Sequence, residues 1–154
     1  MDATVLAALR SLLDTERVLT VAVLVDGQPV AAMLPYAVAD DRTTLYVQAS
    51  QLARHTAGLR AGSAGVVIHQ PATPDRDPMQ LPRLTVQAAV QVVARDSEAF
   101  NLAAGRLIER CPAAATTLAL ADFDIYAFTL GRGRYIEGFA RAFNVHAETF
   151  KALG

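Results

Sequence analysis

The amino-acid sequence predicts a mainly β protein with flanking helices (α+β), in which six to seven antiparallel strands form a barrel or a sandwich. The first observation is that segments rich in β-favouring residues follow one another as hairpins, with no regular alternation of strand and helix. The second is that these segments are strongly apolar, which suits a barrel because a barrel closes its own edges. The chain has 154 residues, of which 53% are apolar, and it shows no internal repeat or boundary, so we expect residues 1–154 to form a single domain.

Charge, cysteine content and hydropathy exclude several classes of function. A net charge of −1 provides no electrostatic attraction to nucleic acid or to a membrane surface, so neither is expected as a partner. The single cysteine, Cys111, rules out an internal disulfide and a cysteine metal cluster. The chain has no secretory signal and no apolar run long enough to span a bilayer, so we expect a cytoplasmic protein.

Residues 2–39 predict a helix followed by a β-hairpin. Apolar residues at helical spacing between residues 2 and 14 indicate an amphipathic helix that Asp2 can cap. Residues 17–25 form a dense apolar strand, and Asp26-Gly27 is a strong two-residue hairpin signal. Residues 28–39 return as the partner strand. Pro35 cannot donate to the ladder, so a bulge or an edge is expected there.

Residues 45–59 predict a strand that runs into a helix. Ser50 is a good N-cap for a helix over residues 52–59. Such a junction directs free backbone N–H groups and the positive end of the helix dipole at one spot, which suits a phosphate, with Arg54 and His55 as further donors. The alternative is an ordinary serine-capped turn, which the local sequence favours because it lacks the glycines of a phosphate loop.

The rest of the chain predicts further strands, one long loop and a second amphipathic helix. The predicted strands cover residues 64–69, 83–94, 123–130 and 135–139, and a proline-rich loop covers residues 70–82. A helix is predicted over residues 98–110, with Ser97 as its N-cap and Cys111-Pro112 as its end. Its inward residues are expected to be Phe100, Ala103, Ala104, Leu107 and Ile108. Residues 131–134, Gly-Arg-Gly-Arg, are interpreted as an exposed turn, with a loop anion site as the alternative. Residues 140–154 are expected to be partly helical.

No catalytic side chain can be recognised. The three histidines, His55, His69 and His146, are far apart and no metal-binding motif occurs, so we predict no metal site. Arg83 opens a strand directly after the proline-rich loop, and it is either a solvated charge or a contact for an anion at the predicted phosphate seat. A chain without an evident acid, base or nucleophile either binds a ligand without chemistry or takes its chemistry from a cofactor.

Four segments, in order, resemble the pyridoxamine 5′-phosphate oxidase-like FMN-binding split-barrel superfamily, and within it the branch of HugZ-type haem-utilisation proteins. The segments are residues 29–36, Ser50-Gln51-Leu52-Ala53-Arg54-His55-Thr56, Asp77-Pro78 with Arg83-Leu84-Thr85, and Gly138-Phe139 with Ala142. The chain departs from this branch at Gly58, Gln87 and Ala140, where asparagine, glycine and glycine are common. Only His146 follows the last segment as an axial ligand for haem, which argues against haem degradation.

The resemblance implies an FMN-binding split β-barrel that forms a homodimer, with one FMN at each of two sites between the subunits. Ser50, Gln51 and His55 would lie near the phosphate with Arg83 as the charged partner, while backbone around Met33, Leu34 and Tyr36 would face the flavin ring. The implied cofactor-binding residues are Met33, Leu34, Tyr36, Ser50, Gln51, His55, Thr56, Arg83 and Thr85. The first hypothesis is a flavin-dependent oxidoreductase of unknown substrate and unassigned catalytic residues. The alternative is a non-catalytic flavin- or haem-binding protein for haem utilisation, storage or sensing.

The expectation of a homodimer also has a source in the residues themselves. The strands over residues 18–25 and 84–93 read as apolar on both faces, and one small barrel interior cannot absorb both. We therefore expect an apolar outer face, with Val90 as one of its residues, to meet a partner chain about a two-fold axis.

Overall fold

The structure, a computed structural model that describes residues 1–154, is built on seven antiparallel strands and five helices. The strands β1 to β7 are Val18–Val25, Gln28–Val38, Thr44–Ser50, Ser63–His69, Arg83–Val93, Phe123–Gly138 and Arg141–Val145. The helices α1 to α5 are Ala3–Thr15, Arg54–Arg60, Glu98–Arg110, Ala114–Leu118 and Ala147–Lys151, and Pro78–Gln80 forms a short 3₁₀ helix. The predicted mainly β architecture is confirmed. No helix of this protein combines the length and the apolar character that crossing a membrane requires.

The sheet closes into a six-stranded barrel that is split on one side. The strand order is β3-β2-β1-β4-β5-β6-β7, and β3 also pairs with β6, so the first six strands form a ring and β7 lies outside it. β2 and β3 are joined only by the pairs Tyr36↔Val47, Ala37↔Tyr46 and Val38↔Leu45. Beyond these pairs the two strands separate, and α2, which contacts β1, β2, β4 and β5, packs at this open end of the barrel.

The first helix and hairpin follow the sequence prediction. Asp2 caps α1, since its Oδ1 accepts a hydrogen bond from the Val5 N–H at 3.0 Å. Asp26 and Gly27 have φ values of 52° and 73°, the left-handed conformation that a tight two-residue hairpin requires. The register continues through Pro35, which faces Val18, without the bulge that was one expectation. The other expectation, an edge, is confirmed, because β2 pairs with β3 only from Tyr36 onward.

The turn predicted over residues 131–134 is wrong, because these residues belong to the 16-residue strand β6. A Cβ on Gly133 would lie 2.7 Å from Val86 Cα and would overlap the Thr85 carbonyl oxygen. A Cβ on Gly131 would lie 3.1 Å from the Gln87 carbonyl oxygen. Next to this close approach the register of β5 and β6 shifts between Val86 and Ala88. The glycines therefore let β6 lie against β5 instead of turning the chain.

The predicted helix over residues 98–110 is confirmed, with Ser97 Oγ accepting from the Phe100 N–H at 3.0 Å. Ala103 and Leu107 are buried as expected, but Ile108 is 36% exposed, so its inward assignment is wrong. The short helix α4 was not predicted. The C-terminal residues are partly helical as expected, and they also supply β7.

The outward faces of β1 and β5 differ from each other and, on β5, from the prediction. On β1, Val18 and Leu24 are 43% and 66% exposed, so this strand is apolar on both faces as expected. On β5 the exposed positions include Thr85 and Gln87, while Val90 is buried in the barrel core with 5% exposure. The expectation that Val90 faces a partner chain is therefore wrong, since strict alternation along β5 directs it inward.

Candidate functional site

Ser50 ends β3 and holds the following turn closed. Its hydroxyl donates to Asp122 Oδ2 at 2.8 Å and accepts from the Leu52 N–H at 3.1 Å, and its carbonyl accepts from the buried Thr56 hydroxyl at 2.5 Å. The helix begins only at Arg54, so the prediction that Ser50 is the N-cap is wrong. Leu52 lies in the turn and is 88% exposed, outside the helix in which it was expected.

Gln51 and the start of β6 form a charged cluster around one carboxylate. Gln51 Nε2 donates to Asp124 Oδ2 at 3.0 Å. Asp124 also pairs with Arg95 at 3.4 Å and Arg60 at 3.7 Å, and its side chain is only 13% exposed. Because Ser50 and Gln51 both donate to carboxylates, a phosphate at this turn would have to displace Asp122 and Asp124 from these donors.

His55 lies on α2 with a partly buried ring. Its Nε2 atom is buried and has no hydrogen-bond partner. Burial lowers the pKa of His55 below its ordinary value of 6.5, so the ring is neutral at pH 7 and can either donate or accept one further hydrogen bond. The neighbouring Arg54 side chain makes no hydrogen bond and no ion pair. His55 and Arg54 are therefore the free polar groups at the split.

The three predicted residues on β2 divide into one exposed and two buried side chains. Met33 is 67% exposed, whereas Leu34 and Tyr36 are 8% and 1% exposed. The Tyr36 hydroxyl donates to the Leu13 carbonyl at 2.9 Å, and burial raises the pKa of Tyr36 strongly. Leu34 can reach a ligand only through its backbone, on the part of β2 that pairs with β1 alone. Tyr36 already pairs with Val47 of β3, and its N–H donates to the Arg17 carbonyl at 3.2 Å.

Arg83 and Thr85 lie on β5, on the far side of β1 and β4 from Met33. Arg83 Nη1 donates to the Leu81 carbonyl at 3.0 Å and the Met79 carbonyl at 3.3 Å, so part of its donor capacity is used to hold the end of the proline-rich loop. The register aligns Met33 with Thr20, Thr20 with Val67 and Val67 with Thr85. Three strand spacings of about 4.8 Å separate Met33 from Thr85. One chain therefore carries the predicted residues as two separate groups.

We call the exposed side of β2, β1, β4 and β5 the outer face. It carries an open cavity of about 930 Å³ that includes Leu24, Pro29 and Arg132 in its lining. The cavity exists because small residues, among them Ala22 and Gly65, leave room between these side chains and α2. No predicted cofactor residue and no acidic residue lines it.

A second groove of about 430 Å³ continues from the cavity and contains Arg132, Arg134, Thr85 and Gln87. Arg132 makes no hydrogen bond and no ion pair, and Arg134 has only a long contact of 3.5 Å to Asn144 Oδ1. The sequence analysis favoured an exposed turn here and kept an anion site as the alternative, but it placed the two arginines on a loop and not on a strand. The signal was present, because strand alternation places residues two apart on one face.

The other two histidines, His146 and His69, lie in different surroundings from His55 and from each other. His146 caps α5 through contacts with Thr149, one of them 3.1 Å from its Nδ1 to the Thr149 hydroxyl, so this histidine has a structural partner. His69 is exposed on the outer face opposite Arg83, and its Nδ1 lies 2.7 Å from the Gln70 carbonyl oxygen. That contact requires Nδ1 to carry the proton, which leaves the lone pair of Nε2 free.

Comparison with known proteins identifies the fold. No family model matches the chain, and no curated protein matches it. A heme-binding protein from Mycobacterium smegmatis superimposes with a TM-score of 0.87 at 20% identity over 99% of this chain, which spans 62% of the length of that protein. A Clostridium acetobutylicum protein of the pyridoxinephosphate oxidase family, related to general stress protein 26, gives a TM-score of 0.71 at 12% identity over 97% of this chain and 99% of its own. An FAD-binding protein from Mesorhizobium loti gives a TM-score of 0.63 at 17% identity over 88% of this chain and 96% of its own. The split-barrel fold that the resemblance implied is therefore confirmed.

Proposed function

We propose that this chain is an FMN-binding flavoprotein that acts as a homodimer and catalyses oxidation–reduction of a small-molecule substrate. The observation that carries the proposal is the division of the predicted cofactor residues into two groups on opposite sides of one face. A two-fold axis along the outer face, between β1 and β4, would set Met33 of one subunit opposite Thr85 of the other. Each flavin would then lie between the split of one barrel and β5 of its partner.

The outer face has the character that such a dimer needs. Leu24 and Met33 expose apolar side chains on this face, and the small residues Ala22, Ala31 and Gly65 lie on it as well. An exposed apolar surface of this kind is uncommon on a monomer and marks a contact with another molecule. A dimer formed this way would shield the cofactor from water with side chains that neither donate nor accept protons.

The residues at the split fit a flavin ring better than they fit its phosphate. His55 Nε2 is buried without a partner, and the part of β2 before Tyr36 offers backbone groups that no neighbouring strand uses. These groups can hydrogen-bond to the polar edge of a flat heterocycle. For the phosphate, Ser50 and Gln51 first have to leave Asp122 and Asp124, with Arg54 as the free cation nearby in the chain.

When bound, the flavin supplies hydride or electron transfer, and the chain supplies binding and orientation. His55 would hold the ring through Nε2, and Arg83 of the second subunit would pair with the negative charge of the cofactor. Arg83 can do so with the nitrogens that do not donate to Leu81 and Met79.

The test compares FMN with riboflavin, which lacks the phosphate. We expect the purified protein to bind FMN with micromolar or tighter affinity, measured by quenching of flavin fluorescence. Arg83→Ala should weaken FMN binding about 10- to 150-fold and riboflavin binding much less, because a charge-assisted contact contributes about 1.5–3 kcal/mol. The matched control is Arg10→Ala on α1, whose side chain pairs only with Asp14 on its own helix.

Two results would contradict the proposal. Absence of any measurable FMN affinity would exclude a flavoprotein, and equal losses for FMN and riboflavin would assign Arg83 to the support of the loop at Leu81 and Met79. Activity needs its own measurement, in which the flavin is reduced without oxygen and then exposed to air. Reoxidation coupled to loss of an added substrate distinguishes an oxidoreductase from a protein that only holds flavin.

The second candidate is a haem-binding protein, which the arrangement of His69 favours. A histidine whose Nδ1 proton points to a carbonyl presents Nε2 to a metal, and His69 stands next to Arg83, which could pair with a haem propionate. The likeness to the Mycobacterium smegmatis protein points the same way. Haemin titration followed by absorption spectroscopy tests it. His69→Ala should shift the Soret band if His69 is the axial ligand, and an unchanged spectrum would exclude that role.

A further inference from the structure

The cavity on the outer face is lined by residues that are small or apolar. Ala22, Gly65 and Ala89 provide its floor, Leu24 and Pro29 its apolar walls, and Arg132 its only charge. A cavity of about 930 Å³ is of the size that encloses a small organic ligand. Its apolar lining provides the favourable term for binding a hydrocarbon or aromatic group, and its lack of acidic residues leaves the arginine uncompensated.

Arg132 stands apart from almost all the other basic residues of this chain. With the exception of Arg54, every other arginine and the single lysine make a hydrogen bond or an ion pair within the protein. Arg134, two residues further along β6, points to the same face and has only its long contact to Asn144. The rim of the cavity therefore carries positive charge that no carboxylate of the chain neutralises.

We propose that this cavity binds an amphipathic organic anion, with the apolar body of the ligand in the cavity and its carboxylate or phosphate head on Arg132. Arg134 lies next to Arg132 in the groove that continues from the cavity and adds a second donor for the head group. None of the proposed cofactor residues lines the cavity itself, although Thr85 lies in the adjoining groove with Arg134. The cavity is on the outer face, so in the proposed homodimer the bound ligand would lie between the two subunits.

The glycines of residues 131–134 explain why the site lies on a strand. Gly131 and Gly133 allow β6 to lie close against β5, because a Cβ at either position would crowd the Gln87 oxygen or the Val86 backbone. The intervening arginines consequently alternate to the outside, beside Gln87 of β5. A turn at these residues would have sent the two guanidinium groups in different directions.

The experiment uses the full-length protein and four probes that share a ten-carbon chain: decanoate, decyl phosphate, decanol and decyltrimethylammonium. Each competes with the fluorescent probe anilinonaphthalene sulfonate. We expect both anions to bind at least ten times more tightly than the alcohol and the cation to bind weakest. The ratio between decanoate and decyl phosphate distinguishes a carboxylate site from a phosphate site.

Three variants locate the site. Arg132→Gln should weaken decanoate binding by about 10- to 150-fold, the equivalent of one charge-assisted contact, and leave decanol unchanged. Gly65→Leu should weaken both, since the nearest atom to a Cβ at residue 65 is Ala22 Cβ at an ordinary 3.7 Å and the added side chain fills the cavity. Ala89→Leu fills the same cavity from β5 and serves where Gly65→Leu does not fold. Arg10→Gln, on α1, is the matched control and should change nothing.

Circular dichroism and sedimentation confirm that each variant keeps its fold and assembly state. Equal affinity for decanoate and decanol in the unmodified protein would overturn the proposal. So would an unchanged affinity in Arg132→Gln, or a cavity-filling variant that folds and still binds decanoate. Because FMN affinity is measured separately on the same variants, failure of this site is distinguished from failure of the cofactor proposal.

Discussion

Gly133→Ala should destabilise the protein severely, because β6 and β5 approach each other too closely at this position for any side chain. The added Cβ would lie 2.7 Å from Val86 Cα and 2.9 Å from Val86 Cβ, and it would overlap the Thr85 carbonyl oxygen. Two of these three atoms belong to the backbone of a paired strand, so no rotamer change relieves the clash. Overpacking typically costs about 1–3 kcal/mol and here should reach about 3 kcal/mol or more, since strand pairing itself must yield.

The assay is thermal unfolding followed by circular dichroism, with two glycines for comparison. For a chain of this length about 3 kcal/mol lowers Tm by roughly 6–12 °C. Gly131→Ala should cost less, about 1 kcal/mol, because its Cβ would lie 3.1 Å from the Gln87 oxygen. Gly105→Ala meets nothing within 4 Å in the middle of α3, so it should raise stability by about 0.5–1 kcal/mol through helix propensity. If Gly133→Ala and Gly105→Ala unfold at the same temperature, residues 131–134 do not form the close strand described here.

Three further predictions concern the core, a helix terminus and pH. Val90→Glu should leave little folded protein by circular dichroism, because it buries a carboxylate in the barrel. If the variant is a soluble folded monomer, residue 90 lies at the surface. Arg110→Ala should lower the unfolding free energy measured in urea by about 2–3 kcal/mol, because the guanidinium donates to the Asp14 and Glu16 carbonyls at the C-terminus of α1. Arg110→Lys should recover part of this loss, and no loss in Arg110→Ala would refute this capping of α1. Because burial lowers the pKa of His55, the folded state disfavours the imidazolium, so stability is lost as the pH falls through 6.5 and below. His55→Gln should reduce the change of the urea midpoint between pH 7.5 and pH 5. An equal change of the midpoint with pH in both proteins would show that His55 does not contribute.

The local elements of this fold follow from short-range features of the sequence. Asp2 and Ser97 cap α1 and α3 as expected, since a capping side chain acts on N–H groups within three residues of itself. Asp26-Gly27 forms the expected hairpin for the same reason, because left-handed backbone is a property of those two residues. Hairpin order and apolar strands then restricted the architecture to an antiparallel barrel or sandwich, of which the structure forms the barrel.

The features that were predicted wrongly depend on residues that are distant in sequence. Gly133 is a strand residue because Thr85 and Val86 lie against it, and no pattern within residues 131–134 reveals that neighbour. Ser50 is not an N-cap because the helix begins only at Arg54, and its hydroxyl instead donates a hydrogen bond to Asp122, which is 72 positions away in the chain. Gly58, a departure from the resembling branch, is explained in the same way, because a Cβ there would lie 2.5 Å from Val23 Cβ.

The candidate sites show the same division. The residues proposed to hold a cofactor were visible in the sequence through the resemblance, but their separation into a group at the split and a group on β5 emerges only when the register of four strands is known. The unpaired charge of Arg132 was likewise hidden, because whether a guanidinium has a partner depends on which carboxylates the fold brings near it. Short-range chemistry along the chain thus defines the elements and the residue types available for binding. Which of those side chains remain free to bind is set by the folded barrel, because that freedom depends on contacts between segments far apart in the chain.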